Sequence, residues 1–289
     1  MGLLAVDVTT YGVVMSADSQ PVEILDGENR VLPTSGWQTR NPIVMRVGGG
    51  FTGLVGFAGT EEIEGVKTAE WLRRFSDEWM NDDVDAFCHR LAERLTAIWR
   101  RDGLRSVLEI LVTGEVSGDL QFWYVRNSQG LRDADWKHNT PADTFITKND
   151  LDDPDEGYIK RDRVEGETKD DVLQRVTYSF RQGVLVPGAR VFDGFADILG
   201  AMYAGDVEGF QPIASLDDLG QFARVRMEFL KRLCSAKYGI YDEKTLPPVT
   251  GKVHVLGVGR DGRICDYHKG KNQVQTPRPG RTAARTVTA

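Results

Sequence analysis

Cysteine, histidine and long apolar runs are all scarce in this chain, and each scarcity removes a class of function. The three cysteines, Cys88, Cys234 and Cys265, are far apart and odd in number. That excludes a disulfide framework, gives no metal-binding spacing and fits a reducing cytoplasm, the compartment expected for the protein. The four histidines stand in unrelated contexts: His89 beside a helix face, His138 in a loop, His254 in the last strands and His268 at the start of the tail. No Ser-His-Asp or Cys-His set is visible among them. No stretch approaches the roughly eighteen apolar residues of a membrane span. The N-terminus lacks the basic region and apolar core of a signal peptide. Acidic residues outnumber basic ones, 43 to 36, for a net charge of −7, which argues against a general nucleic-acid binder because affinity for phosphate needs basic surface. Lysine is absent between Met1 and Val66, while Lys269, Lys271, Arg278, Arg281 and Arg285 follow His268 with no acid among them. The body is therefore more acidic than the whole chain, and the basic end reads as a flexible, solubilising tail.

What is present suffices for a full core: 289 residues, 40% of them hydrophobic. Leu3-Leu4-Ala5-Val6-Asp7-Val8 and Val13-Val14-Met15-Ser16-Ala17-Asp18-Ser19 flank Thr9-Thr10-Tyr11-Gly12 and predict an opening β-hairpin. Gln20 to Asn41 reads as a loop or ribbon. Ile43 to Val47 and Phe51 to Gly59 read as strands around Gly48-Gly49-Gly50. Thr60, followed by Glu61, Glu62 and Glu64, predicts a helix from there to about Met80, since acids favour the partially positive helix N-terminus. A second helix is expected from about Asp83, with Val84, Phe87, Cys88, Leu91, Leu95, Ile98 and Trp99 on one face. Val107 to Thr113 and Leu120 to Asn127 read as strands around a Gly114 to Gly118 turn. The stretch from about Asn139 to Glu167 is acidic and poor in apolar residues. Thr168 with Asp171 starts a helix buried through Leu173, Val176 and Phe180. Phe192 to Met202 gives a further helix. Ser215 with Asp218 caps a longer one with Leu219, Phe222, Ala223, Leu230, Leu233 and Cys234 on one face. Val253 to Gly259 and Ile264 to Tyr267 close the fold as a hairpin.

Several chemical motifs fail their context. Gly257-Val258-Gly259-Arg260-Asp261-Gly262 fits the dinucleotide pattern GxGxxG and follows a strand, but another strand comes next where a helix is needed, so it reads as a hairpin turn. The acidic run Asp150 to Glu156 lacks the glycine spacing of a calcium loop and reads as solvated. Cys88 and Cys234 sit on apolar helix faces as core. No cofactor and no metal site is expected.

The opening hairpin, with Gly12 and Ala17-Asp18-Ser19 in place, resembles the start of the proteasome β-subunit family of N-terminal-nucleophile hydrolases, and most closely its bacterial ancestral-type members. The resemblance covers Met1 to about Trp123 and resumes over Ser215 to Tyr267. It implies a four-layer αββα sandwich of the α+β class. The order of strands, two helices, strands, helices and strands supports that architecture on its own, since it argues for layers over alternating βαβ units. One domain is expected over 1–268, with a divergent or inserted segment at about 130–210 and a basic, disordered tail at 269–289.

In the family, a threonine at the start of the first strand attacks the scissile carbonyl with its own amine as base, and an acid and a lysine set the local field. The resemblance places Asp18 at the acid and Gly2 at the nucleophile, where no hydroxyl is available. The lysine belongs just before Ile43, where Asn41-Pro42 stands. Arg40 is near but is a different electrostatic tool. Ser16 and Ser19 flank Asp18 and read as small polar residues at a strand end, with Ser19 the only substitute carried as a site residue. The resemblance therefore implies a non-catalytic or atypical ring-forming subunit. The alternative is a threonine-type peptidase, amidohydrolase or peptidyl transferase with an altered nucleophile. Expected partners are copies of the chain or related subunits and a peptide or protein ligand, with neither nucleic acid nor membrane. An aromatic face, Val66, Trp71, Leu72, Phe75 and Trp79, is the expected assembly surface.

Overall fold

The computed structural model describes residues 3–18, 22–24, 31–33, 42–129, 140–155, 157–183, 189–204, 213–241, 252–267 and 273–275. Strands β1 (Leu3–Thr9) and β2 (Gly12–Asp18) form the expected antiparallel hairpin, with Leu4 opposite Ala17 and Thr9 opposite Gly12. Both strands are buried throughout, as befits a sheet covered on both faces. Strands β3 (Val22–Ile24) and β4 (Val31–Pro33) make a small separate ribbon. Strands β5 (Ile43–Arg46) and β6 (Thr52–Gly59) pair next.

The helix predicted from Thr60 begins eight residues later. Glu62–Ile63 and Val66–Lys67 pair as the short strands β7 and β8, and α1 spans Thr68–Glu78. Glu64 and Gly65, with φ of 51° and 72°, form the tight turn between them, the conformation of a two-residue hairpin with both central residues at positive φ. The acids therefore serve a hairpin. Glu64 accepts from Trp71 Nε1 at 3.1 Å and from Arg101 at 3.1 Å, pinning that hairpin to both helices. The aromatic face of α1 is likewise used inside the protomer: Trp71, Leu72 and Phe75 are buried, and Phe75 stacks on Trp71 and meets Phe87 edge-on. Arg90 covers the partly buried Trp79 at 4.5 Å.

Helix α2 (Val84–Asp102) matches its expectation. Asp83 caps it through the Ala86 amide, Gly103 ends it in the left-handed region, and all seven expected core residues are buried. Strands β9 (Leu108–Val116) and β10 (Asp119–Gln129) run longer than expected because the turn is only Ser117 and Gly118, both at positive φ. The acidic, apolar-poor stretch contributes β11 (Thr140–Asn149), paired with β10. Helices α3 (Tyr158–Asp162) and α4 (Lys169–Arg175) follow, and the Thr168–Asp171 capping box is present. Phe180 is not on α4: it lies in β12 (Tyr178–Gly183), the edge partner of β1. Helices α5 (Ala189–Ala204) and α6 (Leu216–Tyr241) precede β13 (Val253–Gly259), β14 (Ile264–Asp266) and β15 (Gln273–Gln275). Strand β15 pairs with β14, so part of the segment expected to be a disordered tail is a strand.

Two sheets stack face to face, one ordered β12-β1-β2-β13-β14-β15 and the other β11-β10-β9-β6-β5. Helices α1 and α2 cover the second with one apolar core, and α5 and α6 cover the first with another. Leu4, Val6, Met15, Leu54, Leu111 and Phe122 fill the space between the sheets. The result is the four-layer αββα sandwich. Close approach of the sheets depends on Gly56, where a Cβ would lie 2.6 Å from both Leu4 Cδ1 and Met15 Sδ. Leu151, just after β11, and Ile159, Val172 and Leu173 of α3 and α4 wedge into the same interlayer beside Phe122 and Tyr178.

One polar pair is buried in this apolar frame. Arg226 of α6 donates from Nη1 and Nη2 to Asp7 Oδ1 and Oδ2 of β1 at 2.8 and 2.7 Å, with both side chains at 0% exposure. Ser179 Oγ of β12 donates to Asp7 at 2.6 Å, and the guanidinium lies 4.3 Å from the Phe192 ring of α5. Arg226→Met leaves a buried, unpaired carboxylate and is expected to lower the unfolding free energy by about 3–5 kcal/mol in urea denaturation. The double variant Asp7→Leu/Arg226→Met should recover most of that loss, because no charge remains to be desolvated. A single variant as stable as wild type would refute the role.

Candidate functional site

The sandwich has two distinguishable ends. At one, Gly262 lies against Glu115 and Thr52, and Gly118 approaches the Arg260 carbonyl. That is the end where Thr9, Gly12 and Gly259 align across β1, β2 and β13. The opposite end therefore brings Leu3, Asp18 and Val253 of the first sheet to the Gly59–Leu108 end of the second. It is also the end at which β1 begins.

Of the expected site residues, Asp18 is described and Gly2 and Ser19 lie outside the described residues, as do Arg40 and Asn41. Asp18 is 5% exposed, and its Oδ1 accepts the Leu3 amide hydrogen at 2.8 Å. The carboxylate thus holds the first described amide of β1 to the end of β2. Ser16 is fully buried, and its Oγ has no hydrogen-bond partner among the described residues. It sits in register with Ala5 and Val255, on the face turned to α5 and α6 with Val14. A hydroxyl in that position is walled off from the space between the sheets. His89 is exposed beside Asp85, and Cys88 is core, its thiol pushed up by burial. The GxGxxG segment is a hairpin turn closed by Gly259 and Arg263. The acidic run is held by lysines: Lys169 Nζ reaches Asp152 and Asp119 at 3.1 and 2.9 Å, and Lys148 lies 3.5 Å from Asp153.

A second polar group at this end was not singled out from the sequence. Glu109 of β9 stands directly opposite Arg126 of β10, and both face the first sheet. Glu109 is buried and accepts from Ser128 Oγ at 2.5 Å. Burial pushes its carboxyl above the ordinary value, opposed by the Ser128 hydrogen bond and the Arg126 charge. The Arg126 guanidinium lies 4.2 Å over the Tyr124 ring. The signal in the sequence is alternation: Leu120, Phe122, Tyr124, Arg126 and Ser128 share one strand face, and its last two positions break an apolar row.

No protein-family model and no curated protein matches this chain. Among solved structures, a glycine mutant of Anbu from Hyphomicrobium sp. strain MC1 superposes with a TM-score of 0.51 at 10% identity, covering 95% of this chain and 87% of that one. Anbu, an ancestral beta-subunit, from Yersinia bercovieri gives 0.49 at 14% identity over 92% and 87% of the two chains. The first likeness, nearly end to end, shows that this chain has the Anbu fold.

The buried carboxyl makes a checkable pH signature. Because the folded value of Glu109 lies above its ordinary 4.5, the unfolded chain gives up that proton first as pH rises. Stability from Glu109 is therefore greatest below the ordinary value and declines as pH climbs through the folded one. Glu109→Gln stays neutral, so the stability of the variant minus that of wild type should grow more positive from about pH 4 to about pH 7. A difference that stays flat across urea titrations would show that Glu109 ionises normally.

Proposed function

We propose that this chain is a proteasome-like subunit that does not catalyse peptide hydrolysis through its N-terminus. The supporting observation is the hairpin that carries Asp18 to the Leu3 amide, next to a position where the sequence has Gly2. In that setting the acid ties two strand ends together, and Gly2 offers it no hydroxyl. The absence of lysine before Val66 points the same way, because the lysine that sets the local field in the resembling family has no counterpart.

Assembly into a ring with copies of itself or related subunits belongs to the same proposal. The aromatic face of α1 no longer supports it, being packed within the protomer. Exposed Ile198 of α5 and Val225 and Phe229 of α6 are the better candidates for an apolar contact. Buried, unpaired Cys88 and Cys265 suit a reducing cytoplasm. Among the described residues no helix is long and apolar enough to cross a membrane.

Fluorogenic peptides incubated with the purified protein should give no turnover above buffer, since loss of a nucleophile typically costs several orders of magnitude in rate. Gly2→Thr, freed of Met1, should stay inactive for want of the lysine. Robust wild-type hydrolysis that Ser19→Ala abolishes would overturn the proposal. Activity gained by Gly2→Thr would mean that the nucleophile alone had been lost. Mass measurement in solution tests assembly: a monomer throughout the micromolar range excludes the homomeric ring.

A further inference from the structure

We propose that Arg126 anchors a binding site for a carboxylate, the free C-terminus of a peptide ending in an apolar residue. The site lies on the inner face of the second sheet, beyond the wedge formed by α3 and α4. It is separate from the N-terminal position and does not depend on whether that position is catalytic.

The face of β10 that carries Leu120, Phe122 and Tyr124 is covered by that wedge and by β12, with Phe180 stacked 3.9 Å from Phe122. Arg126 continues the same face past the cover. Its neighbours in register are Glu109 on one side and Ile146 on the other, and Ile146 is 51% exposed. Arg126 itself is half-buried, between the buried Glu109 and the exposed Ile146.

Among the described residues the Arg126 guanidinium makes no hydrogen bond. Arg126 Nε is fully shielded and has no partner, and no acceptor among the described residues bonds the guanidinium. Glu109, the counter-charge opposite in register, attracts it through space, and its Oε1 accepts from Ser128 Oγ. A shielded N–H without an acceptor is costly, and the cost is greatest on a charged group. An arriving carboxylate relieves it and fits the planar fork of the guanidinium with two parallel bonds. The surroundings choose among anions. Glu109 stands beside the site and disfavours a dianion such as phosphate. The exposed Ile146 side chain offers an apolar contact for the residue that bears the carboxylate.

The test is calorimetric titration of the full chain with acetyl-alanyl-leucine, its C-terminal amide, N-acetyl-aspartate amide and inorganic phosphate. The free acid should bind, with the amide and phosphate at least about tenfold weaker. Arg126→Gln should weaken the acid by at least about tenfold, and Arg126→Lys should restore part of that, the ammonium being charged but unable to fork. If Arg126→Gln fails to fold, Ile146→Glu, at an exposed position, should weaken the acid by like-charge repulsion without touching the core. Equal binding of acid and amide, unchanged affinity in Arg126→Gln or Ile146→Glu, or no binding of the acid at millimolar concentration would each overturn the proposal. Phosphate binding tighter than the acid would overturn the choice of carboxylate, and N-acetyl-aspartate amide binding as well as the acid would move the source to an acidic side chain. Since binding is read without turnover, failure here leaves the non-catalytic proposal standing, and peptide hydrolysis would leave this one standing.

Discussion

The buried ion pair between Asp7 and Arg226 is the constraint on which the placement of everything else rests. Strand β1 is buried at every position, so its apolar residues alone do not say which face belongs to which layer. A slip of one residue would exchange the two faces. Asp7 breaks the tie. In the observed register it meets Arg226 and Ser179 on the α6 side, while Leu4, Val6 and Val8 fill the space between the sheets. In the slipped register a carboxylate would enter an apolar interlayer with no partner, at a cost of several kcal/mol. The pair contributes little net stability against an apolar replacement, because two desolvation penalties offset the attraction. Its value is in register, and register is what puts the Leu3 amide on Asp18 and Leu4 over Gly56.

From that register the asymmetry of the interlayer follows. Over most of its area the two sheets touch through aliphatic side chains, at a separation that only glycine permits at position 56. The outer part of β10 is filled instead by the α3–α4 wedge, which lies in the segment the resemblance leaves uncovered. The wedge ends at Tyr124, whose phenol is pushed up by burial against the opposing charge of Arg126. Beyond it the sheet carries charge on its inner face, and Glu109 and Arg126 are left to satisfy one another through space.

Much of the frame was legible because it is written in local rules. The opening hairpin, the face of α2, the Thr168 and Ser215 caps and the closing hairpin all follow from period, cap chemistry and turn residues. The misses share a cause: the deciding interaction was with a distant segment or was two residues long. The Glu64-Gly65 turn was overlooked because three nearby acids read as a helix start. Strand β11 buries only Phe145 well and exposes Ile146, so its composition carried no strand signal, and pairing with β10 makes it a strand. Phe180 fits a helical period from Leu173 and Val176 as well as it fits strand alternation from Tyr178, and the open edge of β1 decided between them. The key pair was visible in halves. Asp7 interrupts an apolar strand, and Arg226 falls in the apolar stripe of Leu219, Ala223 and Leu230. One charge inside an apolar face looks like a defect; two of opposite sign, 219 residues apart, describe a contact.

The same logic bears on the site. A carboxylate that ends a strand can set the field of a nucleophile or cap a backbone amide, and the second role needs neither a hydroxyl nor a lysine. Asp18 performs the second with the Leu3 amide, so the hairpin stays closed whether or not chemistry takes place beside it. The presence of the acid therefore says nothing for catalysis. Arg126 is the opposite case. Its guanidinium bonds nothing among the described residues, and a neutral Gln would fill the same strand position at lower desolvation cost. The charge of Glu109 and the Tyr124 ring account for a cation there, and a planar anion received from outside accounts for the unbonded fork.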